Sequence, residues 1–259
     1  MKIFNIHSKK QQQPRAYKTP SASVYSLYDE FLELPHLLIG GATGSGKSVL
    51  LNGLIYNLIV EHSPFEAQFI LIDPKRVELV AYSDLPHCVR YASEPEDMLN
   101  ALQYAVNEME RRYKAMQQQR IKLFNGPDLY IFIDEMADLM VTQKRAVLPL
   151  LTRLGQLGRA ARVHTVMATQ CVLSSAGILP SQIKVNFDNR VALRTASAQD
   201  SRNIIGISGS EALPDPRRTN KAECIFRSGA DLFRYDLYMY PDKAVEDVLS
   251  WWTSKKCIA

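Results

Sequence analysis

The sequence predicts an α/β fold: a mostly parallel central sheet with helices on both faces, closed by a C-terminal β-hairpin and helix. Three observations carry this prediction. Short continuous apolar runs (Leu37–Ile39, Phe69–Ile72, Leu129–Ile133, Thr165–Ala168) alternate with longer stretches of helical character, as expected of strands buried on both faces of a parallel sheet. Two of these runs end in acidic residues, Asp73 and Asp134-Glu135, at the carboxyl ends of strands, where open α/β sheets build their sites. The first run enters a glycine-rich loop, and the loop enters an apolar helix.

That first unit, His36 to Asn52, reads HLLIGGATGSGKSVLLN and contains G-x-x-x-x-G-K-[ST], with Gly41, Gly46, Lys47 and Ser48 at the fixed places. A chain of this length matches the four positions by accident on the order of once in a hundred cases, and the strand and helix on either side add weight. Glycines 41, 44 and 46 let the backbone turn its N–H groups inward, where with the positive end of the following helix they cradle phosphate oxygens. Lys47 adds a point charge for the β- and γ-phosphates, and the Ser48 hydroxyl is a Mg²⁺ ligand. Residues Gly41, Ala42, Thr43, Gly44, Ser45, Gly46, Lys47, Ser48 and Val49 are therefore the expected nucleotide-binding loop, with ATP and Mg²⁺ as cofactors.

The remaining elements follow in order. Residues 1–23 read as a flexible basic tail, since Ser8 to Ser23 are rich in Lys, Gln, Pro and Ser. Residues 24–259 form the globular domain, a size that buries a full core. Tyr25 to Leu34 suggests a short helix, and the helix after the loop should run from about Gly46 to Glu61, stopping before Ser63-Pro64. Ser93-Glu94-Pro95-Glu96 resembles a capping box opening a long helix with an apolar stripe of Leu99, Leu102, Val106, Met109, Tyr113 and Met116. Asp134 can hold the Mg²⁺ water shell, and Glu135 can orient and deprotonate the attacking water. Thr142 to Arg145 reads as a loop and Val147 to Arg162 as one amphipathic helix carrying Arg153, Arg159 and Arg162. Gln170 at the tip of the next strand can reach between phosphate and neighbouring loops. Arg190–Leu193 is a fourth strand, residues 223–237 a hairpin, and Asp242 caps a final helix.

Composition excludes several classes. The net charge of +4 is compatible with a polyanionic partner without requiring one. The four cysteines, Cys88, Cys171, Cys224 and Cys257, have no metal-ligand spacing, which predicts reduced thiols in a cytoplasmic protein. The best membrane candidate, Leu50 to Val60, is broken by Asn52, Gly53 and Asn57 and is too short to span, so no direct membrane insertion is expected.

With these residues laid out, the chain resembles the motor domain of the FtsK/SpoIIIE family of DNA translocases, a RecA-like P-loop NTPase fold. The resemblance covers about residues 36 to 210. It rests on the loop unit, on LIDPKRVEL (71–79), NEMERRYK (107–114) and FIDEMADLM (132–140), on Ala168-Thr169-Gln170 at the family's sensor glutamine, and on Asp200-Ser201-Arg202. It implies a homo-oligomer, usually a hexameric ring, that threads double-stranded DNA while hydrolysing ATP between subunits. Glu135, Lys47 and Gln170 would be catalytic, and an arginine would enter from the neighbour, with Arg159 the best match and Arg153 second. Lys144 and Arg145 would contact DNA phosphates. The departures are equally specific. Gln170 is followed by Cys171-Val172-Leu173 rather than Arg-Pro-Ser, and beyond Gly209 the match fades into Pro214-Asp215-Pro216-Arg217-Arg218. A motor of this size resembles those of mobile elements, with a relaxase or other transfer protein as a possible partner. Two rivals share these features: a protein-moving ATPase like those of type VII secretion, and a nucleotide-binding adaptor without motor activity.

Overall fold

The computed structural model describes residues 28, 30–170 and 180–255. The expected tail at 1–23 and the Cys171–Leu173 departure lie outside them. Among the described residues, eight strands form one sheet: β1 (His36–Gly40), β2 (Ala67–Ile72), β3 (Cys88–Ala92), β4 (Asp128–Ile133), β5 (Val163–Thr169), β6 (Arg190–Ala192), β7 (Ala222–Ser228) and β8 (Asp231–Leu237). Their order across the sheet is β3-β2-β4-β5-β1-β6-β7-β8. The first six are mutually parallel, and β7 and β8 add an antiparallel hairpin beside β6. The edge strand β3 carries the exposed Val89 and Arg90 and lacks an apolar run, so sequence reading passed it by.

The helices are α1 (Lys47–Glu61), α2 (Pro95–Gln119), α3 (Met136–Thr142), α4 (Lys144–Leu157), α5 (Ser181–Asn186), α6 (Ala198–Ile205), α7 (Pro216–Thr219) and α8 (Asp242–Lys255). They cover both faces of the sheet. Alternate strand residues feed two cores: Leu37, Ile39, Tyr130 and Phe132 pack with α1 and α8, while Leu38, Leu129, Ile131 and Ile133 pack with α2, α4 and α6. Because both faces are covered, the central strands are apolar at most positions on both faces rather than at alternate ones.

Two local expectations need correction. The capping box does not form at α2: Glu94 is the N-cap and makes no side-chain cap hydrogen bond. Pro95 supplies the first helical position, and Glu96 and Asp97 complement the helix dipole in its place. The helix expected over Val147 to Arg162 runs instead from Lys144 to Leu157. Gly158 to Arg162 is a turn that Arg162 leaves with φ 54°, feeding β5.

His87 is fully buried, stacked on Phe69 and edge-on to Trp252, with its Nε2–H donating to the His62 carbonyl at 2.9 Å. Burial pushes this imidazole down to about 4. Between its ordinary value and that one, the unfolded chain takes up a proton that the native state refuses, so stability rises with pH across this window. We expect His87 to account for about 2 kcal/mol of stability lost between pH 7 and pH 5. Urea titrations at the two pH values check this, with His87→Gln flattening the dependence. His36, which burial pushes to about 3, acts in the same sense.

Candidate active site

The order of strands assembles the site. β5 stands between β1 and β4, so Thr169-Gln170 lies between the glycine-rich loop that follows β1 and the Asp134-Glu135 pair that follows β4. The loop is tied to both flanking strands: Gly41 N donates to Thr169 O at 3.3 Å, and Ala42 N donates to Arg194 O at 2.9 Å. Gly44 and Gly46 have φ of 73° and 100°, values that favour glycine. A methyl group on Gly46 would also lie 2.7 Å from Ala222 Cβ. Gly46 is the N-cap of α1, which aims the helix amides into the loop. Ala42, Thr43, Gly44, Gly46, Lys47, Ser48 and Val49 line a cleft of about 850 Å³. Gly41 and Ser45 lie behind it, with Ser45 buried.

Lys47 is buried and paired with the buried Asp134, donating to its carboxylate and, at 2.9 Å, to its main-chain carbonyl. Burial raises the Asp134 pKa, with Lys47 opposing and Glu78 and Asp73 adding to the rise. Its second oxygen, Oδ2, is buried without a hydrogen-bond partner. Ser48 Oγ donates to Glu78 Oε1 at 2.5 Å. An orphaned carboxylate oxygen near a hydroxyl and a further carboxylate suits a hydrated divalent cation, which Mg²⁺ prefers over a full protein cage. Among the described residues no cluster of three or more His, Cys, Asp or Glu could enclose a metal alone. Asp134 and Ser48 are thus the residues that would hold Mg²⁺ alongside substrate phosphates.

Glu135 is the N-cap of α3 and is buried. Its Oε1 accepts from Thr169 Oγ1 at 2.9 Å and from Gln170 N at 3.1 Å, and its Oε2 accepts from Lys75 Nζ at 3.1 Å. Gln170 Oε1 accepts from Thr43 Oγ1 at 3.0 Å. One residue therefore touches the phosphate loop through its side chain and the carboxylate through its backbone. Lys75, from the DPKR segment, keeps this carboxylate beside a positive charge, and ion pairing with Glu135 helps to raise the lysine pKa against the lowering effect of burial.

The arginines separate clearly. Arg153 is engaged with Glu110 at 2.6 Å. Arg159 is exposed on the Gly158–Arg162 turn. That turn is fixed from behind by the fully buried Arg112, whose guanidinium donates to the carbonyls of Ala161 and Arg162 at 3.0 and 2.9 Å and to Glu108 at 2.8 Å. Phe124 N donates to Ala160 O at 2.9 Å, and Arg162 pairs with Asp128. The turn precedes the amino end of the seven-residue strand β5, about 20 Å from that strand's Gln170 tip. Arg159 therefore lies at the opposite end of β5 from the phosphate loop of its own chain. Lys144 and Arg145, expected in a loop, are exposed residues of the first turn of α4.

Sequence reading missed the far wall of the cleft. Glu78, Arg217, Lys221, Tyr238 and Met239 line it, contributed by the stretch after β2, by the approach to β7 and by the segment after β8. Apart from Glu78, which belongs to LIDPKRVEL, these residues all lie beyond β6, far along the chain from the loop, and no local motif marks them.

A six-stranded parallel sheet whose loop-bearing strand is separated by one strand from the strand bearing the acidic pair defines a RecA-like P-loop ATPase domain. Residues 21–126 and 122–175 match the FtsK/SpoIIIE family model, and the chain belongs to the FtsK/SpoIIIE family. It is 35% identical over 237 residues to DNA translocase FtsK of Leptospira interrogans, covering 84% of this chain and 24% of that protein. It is 39% identical over 200 residues to the Borreliella burgdorferi protein of the same name, covering 71% and 25%. The chain thus spans about a quarter of these relatives. Among solved structures, the conjugation coupling protein TcpA of pCW3 superposes with a TM-score of 0.71 at 23% identity, over 84% of this chain and 64% of that one. The cytoplasmic domain of the type VII secretion ATPase EccC of Thermomonospora curvata gives 0.67 at 26% identity, over 80% and 26%.

Proposed function

We propose that this domain hydrolyses ATP at sites shared between subunits of a ring and uses the cycle to move double-stranded DNA. The observation that carries the reading is the bridge through Gln170, whose side chain meets Thr43 of the phosphate loop and whose backbone meets Glu135. This contact links the state of the phosphates to the residue that activates water. The relatives' name, DNA translocase FtsK, supports DNA as the substrate. A cytoplasmic location and a relaxase or other transfer protein as partner are part of the same reading; no helix among the described residues is long and apolar enough to cross a membrane.

In this mechanism Lys47 exchanges Asp134 for the β- and γ-phosphates of ATP, while the amides of the loop and of the first turn of α1 hold the phosphate oxygens. Asp134 and Ser48 would hold Mg²⁺, which when bound would neutralise charge on the phosphate oxygens. Glu135 accepts a proton from water as the water oxygen attacks the γ-phosphorus and ADP leaves. Arg159 of a neighbouring subunit stabilises the charge that develops.

The experiment is the ATPase rate of the purified protein alone, with duplex DNA and with single-stranded DNA, using Lys47→Ala as the blank. Stimulation by duplex of about ten-fold or more, absent in the blank, is the expected result; ten-fold corresponds to about 1.4 kcal/mol of barrier. A rate indifferent to both DNAs would reject the DNA motor. Stimulation by a secretion-substrate peptide instead would transfer the reading to protein movement.

A further inference from the structure

The cleft holds a cation that the phosphate-binding motif does not account for. Arg217 belongs to the Pro214–Arg218 stretch where the family resemblance fades. The fold nevertheless brings it onto the phosphate loop: a methyl group placed on Gly44 would lie 3.2 Å from Arg217 Cδ, 3.4 Å from Nε and 3.7 Å from Cζ. The guanidinium therefore stands beside Gly44 of the loop, in the wall of the cleft that Lys47 and Ser48 also line.

Its position is set by contacts that lead back to the loop. Asp215 caps α7 and accepts from Arg217 at three atoms, the backbone N, Nε and Nη2, each at 3.1 Å. A second cation at Asp215 is Arg194, at 3.8 Å, and the Arg194 carbonyl accepts from Ala42 N. The loop, Arg194, Asp215 and Arg217 thus close a circuit around residues 42–44. The Arg217 side chain is 66% exposed, so its pair with Asp215 adds little to folding. A fork-shaped cation in this place is suited to a phosphate, which it can bind through two parallel hydrogen bonds.

We propose that Arg217 is a nucleotide-binding residue acting in cis, contacting the phosphate chain of ATP and closing the cleft from the side of the C-terminal hairpin. Asp215 holds the guanidinium ready until the phosphates arrive. The proposal rests on the phosphate loop being the ATP site.

Calorimetric titration of the wild-type protein, Arg217→Ala, Arg217→Lys and Arg218→Ala with Mg-ATP, together with displacement of labelled ATP by adenosine, tests it. Arg217→Ala is expected to weaken ATP by about ten-fold with adenosine competition unchanged. Arg217→Lys should recover part of the loss, and Arg218→Ala, outside the cleft wall, should bind as wild type. Thermal melting of each variant should match the wild type, as the exposure of the side chain requires. Unchanged ATP affinity in Arg217→Ala would overturn the proposal. So would an equal loss for adenosine, which would make Arg217 a wall for the nucleoside. Failure of the wild-type protein to bind ATP better than Lys47→Ala would instead remove the parent reading, and this one with it.

Discussion

Glu135→Gln is expected to lower ATP turnover by about 10²–10⁴-fold, the contribution of a positioned general base, while ATP affinity stays close to that of the wild type. The substitution is nearly isosteric. Its carbonyl oxygen can still accept from Thr169 Oγ1 and Gln170 N, as Glu135 Oε1 does, so the tips of β4 and β5 should stay joined. What disappears is the ability to take a proton, together with the charge that faces Lys75. Phosphate binding depends on other groups, Lys47 and the loop amides, which the substitution leaves alone. Steady-state hydrolysis beside calorimetric binding separates the two effects. Near-normal turnover would remove Glu135 from the chemistry and leave it as the cap of α3.

Arg159→Ala should be comparably severe, with a loss of about 10³-fold or more in the DNA-stimulated rate, the scale of an arginine supplied in trans. ATP affinity of the isolated subunit should not change, because the side chain lies at the far end of β5 from its own cleft. Arg153→Ala, which breaks only a half-exposed pair with Glu110, should leave the rate near wild type. The decisive measurement mixes two inactive variants. Lys47→Ala subunits keep Arg159 but lack a working loop, and Arg159→Ala subunits have the reverse. Mixed assemblies contain contacts at which a good loop meets a good arginine, so activity should return on mixing. If mixing restores nothing while each variant folds, Arg159 does not act across a subunit boundary. The buried Arg112, donating to the carbonyls of Ala161 and Arg162, braces this turn from within the fold.

The phosphate loop was legible because its chemistry is local: a left-handed Gly44 and Gly46, a cation and a hydroxyl must follow one another within eight residues to wrap one phosphate group. The buried strands were legible because a strand covered on both faces carries a continuous apolar run, and Asp134 and Glu135 stood out against that background. Periodicity alone misjudged the segment from Val147 to Arg162. Its apolar spacing continues past Leu157, and only packing shows that Arg112, Phe124 and Asp128 pull residues 158–162 out of the helix and into a turn.

The sequence by itself pointed to the class of chemistry: a loop of triphosphate-binding pattern, an aspartate and a glutamate at one strand tip as the proposed metal holder and general base, and an α/β frame to carry them. The tertiary structure alone decided which strand lies between the loop and the base, and hence that Gln170 bridges them. It also decided that Arg159 faces outward and that Arg217 reaches Gly44 across 173 positions of chain. The physical reason is that strand order and the return of the C-terminal hairpin are set by burial of two whole sheet faces, a sum over dozens of side chains that no single stretch encodes.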